Sequence, residues 1–234
     1  NDAAPAPARP TAFVYRIGLD DNNAQVARAE GSPVDQFSFA ERGGTLYALV
    51  RGRSGGDAMW KPERGKGTNL ALVRIPQFLF RQEPVAVPPS AYTPLPEPEG
   101  YGLQNRFVGQ YVLYGTGGPW QRNGTEDRHI LYAKQFTAGT PPVIIPLSHT
   151  VERIEVLRQY GGSLVPTFVG PPVDAAVVIG QTDTALSLTS IALSSTPTAV
   201  HTYAIANAAQ GELRSHGFFF HPTSNGAGTI GLPI

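Results

Sequence analysis

The sequence predicts an all-β protein, and three observations support this prediction. Gly (26) and Pro (22) are abundant among the 234 residues, and both residue types interrupt helices and mark the ends of strands. Short runs of alternating or β-branched residues recur along the chain and are bounded by turn residues. No segment keeps the apolar period of a helix over three turns.

The candidate strands follow one another as hairpins along the chain. The first hairpin is FVYRIGLDDNNAQVARA, residues 13–29, and the second is QFSFAERGGTLYALVRG, residues 36–52, with Gly43-Gly44 at its tip. Glycine supplies the positive φ that a tight hairpin turn needs. The later candidates are NLALVRIP (69–76), RFVGQYVLYG (106–115), ILYAKQFTAGTPPVIIPL (130–147), VERIEVLRQYGGSLVPTFVG (151–170), AAVVIGQTDTALSLTSIAL (175–193) and TAVHTYAIA (198–206).

Part of this pattern is repeated. The segments SPVDQFSFAERGGTLYALVRG (32–52) and HTVERIEVLRQYGGSLVPTFVG (149–170) align, with Gly43-Gly44 matching Gly161-Gly162. Each copy follows a second kind of hairpin, and a third hairpin of that kind, residues 188–206, leads into the C-terminal stretch. Units of roughly four strands at intervals of a few tens of residues are typical of β-propeller blades. We therefore predict a β-propeller over residues 12–234, with about four recognisable four-stranded blades.

The order of three segments resembles a family of secreted bacterial β-propellers whose biochemistry is unassigned. These segments are RFVGQYVLYG, then ILYAKQF followed by PVIIPLSHTVERIEVL, then QGELRSHGFFFHP followed by GTIGLPI. Members carry an Arg-Ser-His-Gly-Phe-Phe run, here residues 214–219, and a later Gly-Leu-Pro strand, here residues 231–233. The resemblance covers most of the chain after Ala12, and it implies a radial array of four-stranded blades with no known catalytic residues.

The number of blades and the two ends of the sequence suggest a larger assembly. About four blades is the low end of the range that closes a propeller, and GTIGLPI resembles the middle of a blade. We therefore expect other protein chains, or further blades of the same protein, to complete the propeller. Residues 1–11 are predicted to be a Pro/Ala-rich linker or a processed N-terminus, which favours a secreted, periplasmic or cell-surface location.

Composition excludes several classes of function. Eighteen basic and eighteen acidic residues give no net charge, so no overall field would attract nucleic acid. The absence of Cys excludes disulfides and thiolate metal sites. No run of eighteen apolar residues is present, so the sequence predicts no transmembrane helix.

The stretch GELRSHGFFFHP, residues 211–222, concentrates the reactive side chains. In an extended strand Glu212, Arg214 and His216 project to one face, where Glu212 would orient His216 as a general base. The alternative is a structural polar network between blades, in which Arg214 satisfies carboxylates or carbonyls. We favour the network because the matching place in the preceding repeat has Glu152 and Arg153 but no His.

Other motifs have simpler explanations. GRSGG around Ser54 fits G-x-S-x-G, but the residues after it predict no helix, so we predict no nucleophile there. GAGTIG, residues 226–231, is predicted to be a hairpin tip because no βαβ unit surrounds it. The five His lack metal-binding spacing. We therefore predict no cofactor; the alternative is calcium at GLDDNN (18–23) or NGTEDRH (123–129), where Asp and Asn are also typical turn residues.

Two long irregular stretches, residues 52–68 and 81–105, are the candidates for partner contact. Loops of this length in a compact domain are usually functional or disordered. Exposed aromatic side chains beside basic ones suit an anchor for a protein partner. The predicted contact residues are Trp60, Lys61, Arg64, Tyr92, Tyr101 and Trp120.

The sequence thus predicts a non-catalytic, exported scaffold for protein–protein contact, as a subunit or segment of a larger assembly. The alternative is a propeller that binds or cleaves glycans. Glycoside cleavage needs paired carboxylates at a pocket, for which Glu152, Glu155 and Glu212 are the clustered candidates. Trp60 or Trp120 would line that pocket. Buried and mutually paired carboxylates would favour the scaffold.

Overall fold

Strands dominate the regular structure, and the prediction of an all-β protein is confirmed. The structure, a computed structural model, describes residues 11–20, 23–52, 70–117, 129–158, 174–211, 217–222 and 228–234. No α-helix occurs in these ranges. The chain divides into two units, Asn1–Glu97 and Pro98–Ile234.

The first unit contains two sheets. Its strands are β1 (Thr11–Ile17), β2 (Ala24–Glu30), β3 (Ser32–Pro33), β4 (Phe39–Arg42), β5 (Thr45–Arg51), β6 (Leu70–Pro76), β7 (Val85–Ala86) and β8 (Tyr92–Leu95). Sheet A has the order β1-β2-β7, and sheet B has the order β3-β5-β6-β8, with β4 also paired to β5. Two short 3₁₀ turns, Gln77–Leu79 and Pro89–Ala91, lie in the same unit.

Turn residues fix the β4–β5 hairpin as the sequence predicts. Gly43 and Gly44 have φ of +56° and +68°, which a two-residue type I′ loop requires at both positions. The strands pair from Arg42 opposite Thr45 to Phe39 opposite Ala48. The first predicted hairpin also forms, since β1 and β2 pair along their whole length.

The core of the first unit lies between sheets A and B. Small side chains on β2, Ala27 and Ala29, let the two sheets approach closely. They pack against Ala48, Val50, Val73, Ile75, Phe80, Val87 and Ala91.

The described residues of the second unit form three sheets that follow one another along the chain. Its strands are β9 (Tyr101–Val108), β10 (Tyr111–Gly117), β11 (Ile130–Gln135), β12 (Val143–Pro146), β13 (Arg153–Arg158), β14 (Asp174–Gln181), β15 (Ala185–Leu193), β16 (Thr198–Ala206), β17 (Phe219–Pro222) and β18 (Gly228–Gly231). Sheet C is the antiparallel meander β9-β10-β11-β12, sheet D is the meander β13-β14-β15-β16, and sheet E is the hairpin β17-β18.

Strand β14 of sheet D is covered on both faces. On β14, Ala176 and Val178 join the apolar cluster that packs against sheet C. Their neighbours Val177 and Ile179 point the other way and pack with Phe218, Leu232 and other side chains. Burial on both faces explains why β14 reads as a continuous apolar run instead of an alternating one. Sheets C, D and the residues around sheet E therefore stack in chain order.

One segment differs from the sequence-based expectations. The segment 81–105, expected to be irregular, contains β7, β8 and the beginning of β9. The strand that pairs with β13 begins at Asp174, and the strand that the repeat predicts directly after Gly161-Gly162 lies outside the described residues. None of the sheets closes on itself, so the described strands show an all-β fold of several open sheets.

Candidate functional site

The second unit buries an ionic network where β9 of sheet C lies beside β13 of sheet D. The network consists of six side chains: Arg106, Thr150, Glu152, Arg153, Glu155 and Gln210. Charged groups in a protein interior are costly unless they are paired. The pairing within this cluster therefore decides whether it is a structural or a reactive site.

Glu155 lies at the centre of the ionic network. The Arg106 Nη2 donates to its Oε2 at 2.9 Å, and the Arg153 Nη1 donates to its Oε1 at 3.4 Å. Glu155 and Arg153 are only 5% and 3% exposed, and both lie on one face of β13 because they are two residues apart. Burial raises the pKa of Glu155 above its ordinary value, and the two guanidinium groups oppose that rise.

A second branch reaches Glu152 through an amide. The Arg153 Nε donates to the Gln210 Oε1 at 3.1 Å, and the Gln210 Nε2 donates to the Glu152 Oε2 at 3.2 Å. The Thr150 hydroxyl lies 3.3 Å from both the other Glu152 oxygen and the Gln181 carbonyl oxygen, and it shares its one proton between them. Burial raises the pKa of Glu152, and the donors Thr150 and Gln210 partly offset this effect. Gln210 thus connects Glu152 to Arg153, which are adjacent in sequence and point to opposite faces.

These contacts favour structural roles for both carboxylates. Each oxygen of Glu155 accepts a bond from a guanidinium, and each oxygen of Glu152 accepts one from Thr150 or Gln210. A glycosidase needs one carboxylate free to protonate the leaving group and another free to attack or activate water. Both oxygens of each carboxylate therefore already lie against a hydrogen-bond donor of the same unit. The third candidate, Glu212, lies outside the described residues, as do Arg214 and His216.

His149 forms a second buried polar group in the same unit. Its Nδ1 lies 2.7 Å from the Thr150 carbonyl oxygen, and its Nε2 lies 2.6 Å from the Thr189 hydroxyl. A carbonyl oxygen only accepts, so Nδ1 carries the proton and Nε2 of the neutral ring accepts from Thr189. The Thr189 hydroxyl is in turn 2.8 Å from that of Thr202. A Cβ at Gly180 would collide with the Thr150 carbonyl, so only glycine fits beneath this segment.

The buried ring of His149 should make stability depend on pH. Burial lowers its pKa, and nearby His129 lowers it further, against the Thr150 hydrogen bond. The folded state therefore prefers the neutral ring, and the free energy of unfolding falls as the pH drops below the ordinary His value of about 6.5. The raised pKa values of Glu152 and Glu155 act with the opposite sign, since their protonated forms suit the fold.

The variant His149→Asn isolates this contribution because Asn keeps a donor near the Nδ1 position and does not titrate. Urea unfolding at about pH 8 and about pH 5 gives the difference in unfolding free energy between wild type and variant. We expect that difference to narrow at the lower pH, where the wild-type ring gains a proton on unfolding. An unchanged difference would show that His149 titrates alike in the folded and unfolded states.

Lys134 is the third buried polar group, and it lies on β11 with only 2% exposure. Its Nζ donates to the carbonyl oxygens of Gln135 at 2.9 Å and Thr140 at 2.7 Å, and to that of Ala138. All three ammonium protons are therefore used. Burial lowers the pKa of Lys134. The side chain holds the turn between β11 and β12 together and is not free to act as a nucleophile.

The predicted partner-contact residues are placed differently from one another. Tyr92 begins β8, is half-buried, and its hydroxyl accepts a hydrogen bond from the Glu30 backbone N–H at 2.8 Å. Tyr101 begins β9 and is also half-buried. Trp60, Lys61, Arg64 and Trp120 lie outside the described residues, as does Ser54.

The first calcium candidate, 18–23, is described except for residues 21–22, whereas the second, 123–129, lies outside the described residues except for His129. Among the residues that the structure describes, no three His, Cys, Asp or Glu side chains are grouped around a common point where a metal ion could bind. In that same part of the chain, no helix is long and apolar enough to cross a membrane.

No family model, curated protein or solved structure matches the chain. The resemblance to secreted bacterial β-propellers therefore stays a prediction from the quoted residues. A proposal of function therefore depends on the packing of the sheets, the pairing of the buried polar groups and the exposed surfaces.

Proposed function

We propose that the chain is part of a β-propeller that acts as a non-catalytic, exported scaffold for protein–protein contact within a larger assembly. The observation that carries the contact function is a row of exposed apolar side chains on edge strand β1 of the first unit. The packing of the second unit supports the propeller, and the saturated polar groups support the absence of catalysis.

The stacking of sheets C and D supports a propeller. Strand β9 lies against β13 and β14, and β12 lies against β16. The first strand of sheet C is thus next to the first strand of sheet D, and the fourth strand of sheet C is next to the fourth strand of sheet D. Four-stranded meanders stacked in chain order with that correspondence are the arrangement of neighbouring propeller blades. A two-layer β-sandwich buries one face of each sheet, whereas the inner strand β14 of sheet D is buried on both faces.

The buried polar groups support a structural rather than catalytic role. The carboxylates of Glu152 and Glu155 accept hydrogen bonds at every oxygen, and the Lys134 ammonium donates all three protons to carbonyls. General acid–base and nucleophilic catalysis both need a group that can reach a substrate. These groups instead form hydrogen bonds and ion pairs with other parts of the second unit.

The contact surface is the open face of β1. Phe13, Tyr15 and Ile17 alternate along the strand and so share one face, with exposed fractions of 51%, 64% and 63%. Leu19, just beyond the strand, is 96% exposed. A contiguous apolar row on a surface strand is typical of a protein interaction site, and aromatic residues contribute strongly to such sites. We infer that a partner protein covers this row.

The test compares two variants of β1 that change the net charge equally. Tyr15→Glu places a carboxylate in the apolar row, whereas Arg16→Gln alters the opposite face of the same strand. Each protein is isolated from the organism that encodes it, its native mass is measured, and the partner is identified and then recombined in purified form. We expect a complex that contains a second kind of polypeptide, that survives Arg16→Gln and that is lost with Tyr15→Glu. A wild-type chain without a heterologous partner would contradict the proposal.

A further inference from the structure

Strand β16 is a long edge strand that lacks the usual protection against pairing. Among the described residues it pairs only with β15. Eight of its nine residues are exposed, including Val200 at 51% and Tyr203 at 69%. Its sequence, TAVHTYAIA, contains no Lys, Arg, Asp, Glu or Pro. Natural proteins usually place charges or Pro on such an edge, because an open strand edge is a template for another strand.

The hydrogen bonds to β15 identify the backbone groups that point outward. The His201 N–H donates to the Ser190 Oγ, and the Ser190 hydroxyl donates to the His201 carbonyl. The Asn207 N–H donates to the Thr184 carbonyl at 2.8 Å. The backbone N–H and C=O groups of the odd-numbered residues in this stretch therefore point toward β15. Because the direction alternates along a strand, Thr202, Ala204 and Ala206 direct their N–H and C=O groups away from the sheet.

A bulge protects only one end of this edge. Ser190 pairs with His201 and Ile191 pairs with Ala199, so Val200 is an extra residue in β16. Bulges twist an edge and disrupt further pairing there. From His201 to Ala206 the pairing with β15 is regular, which leaves a six-residue segment suited to strand addition.

We propose that β16 pairs antiparallel with β16 of a second copy of the chain, about a twofold axis through Ala204. In this register Ala204 lies opposite its own copy and Thr202 lies opposite Ala206. The outward N–H and C=O groups of these three residues then form six hydrogen bonds across the axis. A twofold axis makes the two contributions identical, as in most homodimers.

The side chains favour a second copy as the occupant. The register places Tyr203 opposite Ile205 of the second copy, and the symmetry makes this pair twice. Aromatic and β-branched residues directly opposite each other stabilise antiparallel strands. His201 lies opposite Asn207, and no Lys, Arg, Asp or Glu faces a like charge. The strand is thus complementary to itself in shape and charge.

The expected dimer is weak, because a single strand pair buries much less surface than a stable interface. The inference rests on the proposed scaffold function and names one partner for it. It concerns β16 of the second unit, whereas the heterologous contact concerns β1 of the first. A wild-type chain that stays monomeric while Tyr15-dependent binding persists would refute the self-pairing and leave the scaffold proposal standing.

The experiment uses charge at the twofold axis. Ala204→Lys and Ala204→Glu each bring like charges together, so each variant should dimerise about tenfold more weakly than wild type in sedimentation equilibrium across micromolar to millimolar concentrations. An equimolar mixture of the two should form a heterodimer, which also shows that both variants fold. The control Thr198→Lys adds the same charge before the bulge and should dimerise like wild type.

Three results would overturn the self-pairing. These are a wild-type chain that is monomeric at the highest concentration, Ala204 variants that dimerise as wild type does, and a mixture that stays monomeric although both variants are folded. Binding of a different protein at β16 without self-association would assign the edge to another occupant.

Discussion

Replacing Glu155 by Ala is expected to lower the free energy of unfolding by about 3–5 kcal/mol, the cost typical of breaking a buried ion pair from one side. The Glu155 carboxylate lies between the guanidinium groups of Arg106 and Arg153 and bonds to both. Its removal leaves two positive charges facing each other in a part of the unit where water has little access. Because Arg106 belongs to sheet C and Arg153 to sheet D, the loss also weakens the packing of these sheets.

A conservative variant and a less buried ion pair provide the comparison. Glu155→Gln keeps the shape and one oxygen acceptor, so we expect a smaller loss than for Ala. Glu97→Ala removes a partly buried ion pair with Arg51, whose side chains are both 26% exposed, and we expect this more solvated pair to contribute about 1 kcal/mol. Urea unfolding measures the loss of unfolding free energy, and amide hydrogen exchange on β13 and β14 shows whether that loss lies in the second unit. Equal losses for Glu155→Ala and Glu97→Ala would contradict a structural role for the ionic network.

Replacing Lys134 by Met is expected to cost about 2–4 kcal/mol. Met preserves most of the apolar stem but leaves the carbonyl oxygens of Gln135, Ala138 and Thr140 without their shared donor. A buried polar group that loses its partner costs about 1–3 kcal/mol, and water can reach the exposed side of this turn and reduce the sum. Lys134→Arg keeps the charge, but a planar guanidinium does not match three converging carbonyls, so an intermediate loss is expected.

The neighbouring residue offers a matched control for Lys134. Gln135 lies on the opposite face of β11, and its amide makes an exposed hydrogen bond to the side chain of Gln110 at 3.2 Å. Gln135→Met should therefore change stability by less than about 1 kcal/mol. Hydrogen exchange across residues 136–142 gives a local measurement, and we expect faster exchange there in Lys134→Met alone. Unchanged exchange in that turn would show that Lys134 does not hold it together.

Local chemistry made most strands predictable from the sequence. The hairpin at Gly43-Gly44 follows from the positive φ that both residues adopt, and the apolar run of β14 follows from burial on both faces. Strand β8 was missed because its segment is rich in proline. Pro94 lies in β8 at the edge of sheet B, a position where a sheet tolerates a residue without an N–H donor. Composition alone did not distinguish this edge strand from a loop.

Long-range pairing made the candidate site harder to predict. Glu152 and Arg153 stood out in the sequence because they occupy the place in the repeat that matches the polar cluster. Arg106 and Gln210 join them from distant parts of the chain, and no local pattern marks either residue. Lys134 gave a faint signal, as a charged residue in an apolar strand next to a turn. Its three carbonyl acceptors could not be predicted from the sequence, because they converge only in the folded turn.

The most direct test of the proposed propeller is a measurement on adjacent residues of β14. Val177 and Val178 point to opposite faces of sheet D, so nuclear Overhauser effects between selectively labelled methyl groups report on each face separately. The stacking predicts contacts from Val178 to methyl groups of sheet C, such as Leu113 and Ile145, and contacts from Val177 to Leu232. Contacts from only one of the two valines to another sheet would mean that sheet D is covered on one face, as in a sandwich, and would contradict the propeller.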